Sequence, residues 1–269
     1  MRQLNQRGFT LVELLVVLAI LGLVMVTVLN VYMTGNTIGQ TGQNRAEAQQ
    51  GARAGMLMEE DLRLAGYGCP ATGCAPPAPL PAGCVAPPAQ SNFICASATS
   101  LSFWADTVNA STILSAQANA GNVNLNVTPG SGSGFAAGDT AYLINYNAFS
   151  ALTVVSATPN TVTVTAPGPP IAYPQGSQVG RPKVITYSLN GGTLFKDAGD
   201  GRGLQPLATG VLAFQLQYFD ATDLPIATPI PSASLPNIRR VQITMRVQSA
   251  AAENRGTFTL VSSVRPRNL

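Results

Sequence analysis

The chain has 269 residues, a formal net charge of +3, 46% hydrophobic and 10% charged residues, and no histidine. That length allows one large domain, or one domain with an insertion, and a full core. The missing histidine removes the commonest general base, the usual partner of a Ser or Cys nucleophile and the commonest zinc ligand, so an enzyme is not expected.

The first element in chain order is an apolar run over residues 9–29 whose single charge is Glu13. As a helix it spans roughly 30 Å, the hydrocarbon thickness of a bilayer. Arg2 and Arg7 precede it and no acid does, which keeps the N-terminus cytoplasmic and sends the remainder outward. The expectation is a single-pass inner-membrane protein with a periplasmic head. A secretory signal would be cut after the apolar run at small residues, and Leu29-Asn30-Val31-Tyr32-Met33 is a poor site of that kind. The distinctive boundary lies before the run, at Arg7-Gly8-Phe9-Thr10-Leu11-Val12-Glu13.

Those residues resemble the class III signal of type IV prepilins and type II secretion pseudopilins. The resemblance implies a leader over residues 1–8, cut between Gly8 and Phe9 by a prepilin peptidase that also methylates the new amine of Phe9. It makes Glu13 the acidic assembly residue of the family. Physics gives Glu13 a role as well, because a carboxylate in an apolar helix costs several kcal/mol and calls for a partner. The implied partner is the Phe9 amine of a neighbouring subunit, and a one-turn slip would leave two buried charges unpaired.

From residue 30 to 66 the pattern stays helical and turns polar, with Gly51, Ala54, Met58, Leu62 and Ala65 at the spacing of one buried stripe and Glu59 able to pair with Arg63. Gly66 and Gly68 end a helix expected over 9–65. The stretches 48–69, 187–195, 207–218 and 238–247 look like the corresponding parts of PilW-type minor pilins, and the GspJ-type pseudopilins share their order. The family fold implied is α+β: a long N-terminal helix, its lower half transmembrane, packed on an antiparallel sheet with a β-rich insertion. The role implied is initiation or assembly of a pilus filament near its tip, with other minor and major pilins as partners and the cell surface as destination. The alternatives are a type II secretion pseudopilin and a tip adhesin or DNA-binding subunit.

Residues 67–99 form a Pro-rich loop with all four cysteines, Cys69, Cys74, Cys84 and Cys95. In an exported protein an even set reads as disulfides. Three pairings are open, and Cys69 with Cys74 and Cys84 with Cys95 is the one expected because both close short loops. A zinc site is opposed by the absence of a C-x-x-C and by an oxidising compartment.

Residues 100–269 are expected to form a β-rich head. Strands are read at 100–104, 122–127, 140–146, 151–155, 161–165, 184–189, 212–219 and 240–247, several of them alternating apolar with polar, with turns at Pro129-Gly130, Pro159-Asn160, Asn190-Gly191-Gly192 and Asp200-Gly201. Residues 119–179 read as an inserted β-subdomain placed to meet a surface ligand. Asp197-Ala198-Gly199-Asp200-Gly201-Arg202-Gly203 has oxygen donors between glycines but not the EF-hand spacing, so a turn is expected there and no cofactor or metal. Arg239, Arg240, Arg246, Arg255, Arg265 and Arg267 gather near the C-terminus without a continuous basic block, and DNA is an unlikely partner.

Overall fold

One α-helix, α1, runs unbroken over Leu11–Arg63, about 80 Å at the ordinary rise per residue. It belongs to a computed structural model that describes residues 11–77, 80, 81, 84, 85, 87, 91–107, 109–146, 148–248 and 257–268, with the backbone alone described for 35–48. The chain leaves the helix after Arg63 and Ala65 bridges Ala105; Gly66 then turns it at a φ of +82°, and its N–H donates to the Trp104 carbonyl at 2.7 Å.

The strands in chain order are β1 (Phe93–Ala96), β2 (Ser100–Ala105), β3 (Thr112–Ile113), β4 (Asn124–Asn126), β5 (Thr140–Asn145), β6 (Ala148–Thr158), β7 (Thr161–Val164) and β8 (Gln178–Gly180). They continue with β9 (Lys183–Asn190), β10 (Thr193–Asp197), β11 (Gln205–Ala208), β12 (Val211–Phe219), β13 (Pro225–Ile226), β14 (Arg240–Gln248) and β15 (Thr257–Val264). They form three antiparallel sheets, with orders β1-β2-β9-β10-β11, β13-β12-β14-β15 and β3-β8-β5-β6-β7-β4. The fold is α+β, a pilin-like arrangement of N-terminal helix and antiparallel sheets.

The first two sheets share one core with the upper half of α1: Met58, Leu62 and Ala65 of the helix join Phe103, Ile185, Tyr187, Leu216, Tyr218, Ile243 and Met245. Fully burying Met58 and Leu62 stabilises this contact by about 1.5 to 3 kcal/mol each. The helix and β15 run in the same direction and in step. Gly55 abuts Leu260, Glu59 accepts from the Ser262 hydroxyl at 2.8 Å, and the Arg63 carbonyl accepts from Arg267 N–H at 3.3 Å. Between the first two contacts four helical residues rise about 6 Å and two strand residues about 6.7 Å, so one turn of α1 matches two residues of β15, and the third contact lies past the end of the strand.

The third sheet closes on itself. Leu114 bridges Val127, Ser115 N–H donates to the Asn126 carbonyl at 2.9 Å, and Thr128 N–H to that of Ile113 at 3.1 Å, which joins the β3 end to the β4 end and makes a six-stranded barrel. Leu125, Leu143, Val162 and Tyr173 fill it, apart from the helix-backed core. The barrel extends over residues 112–180, wider than the 119–179 read from sequence, because β3 is only two residues long and carries no alternation.

Candidate assembly interface

Over Leu11–Thr34 the helix is long and apolar enough to cross a membrane, and none of its side chains is buried by the rest of the chain. Its two threonine hydroxyls are bonded within the helix: the Thr27 hydroxyl donates to the Val24 carbonyl at 2.7 Å and the Thr34 hydroxyl to that of Asn30 at 2.8 Å. Hydroxyls satisfied in this way can face lipid or another helix. Glu13 stands in the first turn and is the one charged residue of the span. The proposed cleavage pair, Gly8 and Phe9, lies outside the described residues, as does Arg255.

The upper half of α1 is fixed to the head by contacts that sequence reading did not single out. Asp61 is buried, accepts from the Tyr187 hydroxyl at 2.5 Å and meets the Lys196 ammonium at 2.6 Å. Burial first, and then the neighbouring Asp61 charge, push the Tyr187 hydroxyl far above its ordinary range, so it stays protonated and serves as a donor. Asp61 therefore clamps α1 to the β9–β10 hairpin while Glu59, which also pairs with Arg63, holds the β15 side. Seen from sequence, Asp61 is one of three consecutive acids, and nothing marks it as the inward one except its position one residue before Leu62.

The glycines of the upper helix are positions of close approach. A Cβ on Gly51 would lie 2.7 Å from Val247 Cγ2, and one on Gly55 would overlap Leu260 Cδ2. The helix gives up about 1 kcal/mol per glycine relative to Ala to bring its backbone against β14 and β15.

Cys69 is bonded to Cys74 and Cys84 to Cys95, with Cα separations of 5.1 and 5.5 Å. Cys95 sits in β1 and not in a loop, so the second bridge ties the Pro-rich segment to the edge of the first sheet. The four-residue run Phe93-Ile94-Cys95-Ala96 is a strand hidden by the proline and cysteine density around it. Cys74, Ile94, Trp104 and Tyr142 then form a small apolar cluster shared by loop, sheet and barrel.

A second charged knot fixes barrel to head. Asp139, next to β5, is buried and meets Arg181 Nε at 2.5 Å and the Lys183 ammonium. Burial pushes its carboxyl up, but the Lys183 and Ala136 N–H hydrogen bonds and the two cationic charges outweigh it and hold the carboxyl below its ordinary value. The glycine-rich turn between β10 and β11 uses its carboxylates internally: Asp197 accepts from Gly199 N–H at 2.8 Å and Asp200 from Arg202 N–H at 3.1 Å. Among the described residues no group of three or more Cys, Asp or Glu side chains could hold a metal ion. Two cavities, of about 220 and 520 Å³, flank β1 and the 229–239 segment, and Arg239 is the single charged residue in their lining.

Residues 3–29 match the family model of the prokaryotic N-terminal methylation motif. Among curated proteins none matches the chain. The motif runs into an apolar helix that nothing among the described residues covers, and it supports a type IV pilin-like or pseudopilin-like protein that is processed at its N-terminus, anchored by a single span and associated with other pilins.

Proposed function

We propose that the chain is a minor pilin of the PilW type, cleaved between Gly8 and Phe9, methylated on Phe9 and used in the inner membrane to help start or extend a type IV pilus, near whose tip it remains. The observation that carries this reading is continuity. The helix that carries the methylation motif runs without a break from Leu11 to Arg63, bare over residues 11–34 and locked into the head from Gly51 onward. An apolar rod with no cover of its own is stable in lipid or against other such rods, which is what a filament core offers. Glu13 is the register pin, paired with the Phe9 amine of a neighbour.

Mass spectrometry of the mature N-terminus tests the reading first: the expected chain begins at methylated Phe9, and a chain beginning beyond residue 30 overturns it. Gly8→Ala is expected to leave uncut precursor in the membrane. Glu13→Val is expected to be cut normally and to yield few filaments by electron microscopy, and wild-type filament numbers would remove the pinning role. The same motif serves pseudopilins of type II secretion, so deletion of the chain is read by both filament number and secreted protein, with filaments as the expected loss.

The barrel supports a second role, display of a ligand-binding surface, because it has its own core and its boundaries meet where Ala105 pairs with Lys183. Replacing residues 107–182 by a short linker is expected to leave filaments intact and remove binding to the pilus target surface. No catalysis is assigned: the carboxylates of Asp61, Asp106, Asp139 and Asp223 are held by structural cations, hydroxyls or amides.

A further inference from the structure

The sheet edges of this molecule are treated unequally. The edge strand β11 has four residues, one of them Pro206, and its Leu207 carbonyl accepts from Gln50 of α1. Edge strand β13 has two residues and begins at Pro225. At the β1 edge, Ile230 N–H donates to the Ala96 carbonyl at 3.0 Å, and the barrel is closed. The outer edge of β15 has none of these devices. Its eight residues, TFTLVSSV, contain no proline and no charge and pair with β14 without a register shift, while nothing among the described residues pairs with the other side. Alternate residues of such a strand turn N–H and C=O outward, a template that proteins ordinarily blunt unless another chain uses it.

We propose that the outer edge of β15 receives an extended strand from a different subunit of the same assembly, with an acidic group of that strand seated beside Arg267. This rests on the reading of the chain as an assembly subunit. A second copy does not fit. Because β15 runs along α1 in the same direction, two copies anchored side by side have parallel β15 strands. A two-fold axis along the strands sets like residues opposite one another, whereas a parallel ladder needs the facing residues offset by one. Antiparallel self-pairing would point the two anchors in opposite directions, and the chain's other edges are too short or already covered.

Two observations specify the occupant. Val261 and Met56, 61% and 65% exposed, offer apolar surface on the outer face of β15 and on the nearby flank of α1, where Met56, Glu59 and Arg63 follow at helical spacing. Beyond the strand's C-terminal end lies a cavity of about 360 Å³ lined by Arg63, Arg240, Ser263, Val264, Arg265 and Arg267. Glu59 pairs with Arg63 and Asp223 with Arg240 and Arg265, while the Arg267 guanidinium has no carboxylate partner among the described residues. A carboxylate from the added strand would complete that corner.

The test places a photo-crosslinking amino acid at Thr259 or Val261 of the full chain in cells that assemble filaments, with Gln215, exposed on β12, as control. The expected product joins 259 or 261, and not 215, to a strand of a second protein carrying the N-terminal methylation motif, mapped by peptide mass spectrometry. A crosslink to a second copy of this chain, or none at either position, overturns the proposal. Arg267→Glu is expected to lower the adduct yield about tenfold. Val261→Pro and, should it not fold, Val261→Lys are expected to do the same while both disulfides still form, and unchanged yield in a folded edge variant overturns the proposal. Filament loss on deleting the chain, with filaments unaffected by the edge variants, would sink the edge and leave the assembly reading standing. Filaments that form normally without the chain would sink the assembly reading itself.

Discussion

The two halves of α1 solve opposite problems with the same backbone. Over residues 11–34 every side chain is exposed, so its position along the helix matters little to the chain's own fold and the surrounding medium does the covering. From Gly51 onward the side chains at the spacing of one stripe are buried against two sheets. The first half is specified by composition and the second by register. A single continuous helix thus carries a part that is indifferent to its own head and a part that cannot shift without breaking it.

The largest expected break in this contrast comes from one truncation made in each half. Leu62 is fully buried, and Leu62→Ala is expected to lower stability by about 2 to 5 kcal/mol through lost burial and the cavity left behind. Leu18→Ala, at a position 58% exposed, is expected to leave head stability unchanged. Urea unfolding of the detergent-solubilised chain reads both, since Trp104 is the single tryptophan and lies in the sheet packed on α1. Equal losses at the two positions would mean that the lower helix folds back on the head. The next effect is electrostatic. Asp61→Asn leaves the Lys196 ammonium, whose side chain is 20% exposed, facing a neutral group, a loss expected at about 2 to 3 kcal/mol given that partial solvation. Glu60→Gln, one residue away and exposed, is expected to change stability by less than about 0.5 kcal/mol.

How much of this was legible follows the same division. The lower helix is plain in sequence because an apolar run before a polar one needs no partner to be recognised. The buried stripe Gly51, Ala54, Met58, Leu62 and Ala65 is legible from spacing, and all five are buried. Strands with clean alternation, such as β7 and β14, lie where the pattern places them. β10 was missed although Asn190-Gly191-Gly192 announces a hairpin: Gly191 and Gly192 both have positive φ, the demand of a tight two-residue turn, and the strand after it was the missing half of that signal. β15 alternates exposed with half-buried residues, yet Thr and Ser on its outer face dilute the contrast. The Asp61 clamp and the Asp139 knot join residues 126 to 135 and 42 to 44 positions apart, and no local pattern records which distant cation a carboxylate meets.

The finest test of register against composition uses three glycines of α1 that sequence reading treats alike. Alanine at Gly22 meets nothing within 4 Å, so Gly22→Ala is expected to strengthen the helix by about 1 kcal/mol and to leave the head untouched. At Gly55 the obstruction is the far end of Leu260, a flexible and partly buried side chain whose Cγ is 3.4 Å away. Rotation of Leu260 can relieve it, and the helical gain offsets the lost contact, so Gly55→Ala is expected near neutral. At Gly51 the new methyl would sit 2.7 Å from Val247 Cγ2 and 3.3 Å from its Cβ. Val247 is buried and stiff at χ1, and rotation about that bond leaves its Cβ, fixed by the strand backbone, in the tight contact. Overpacking there costs about 1 to 3 kcal/mol, more than the helical gain, and Gly51→Ala is expected to destabilise. In unfolding midpoints of the head, Gly22→Ala and Gly55→Ala are expected to match the parent chain, and Gly51→Ala to fall below both. A reversal of the last two would mean that β14, and not β15, is the strand that yields beneath the helix.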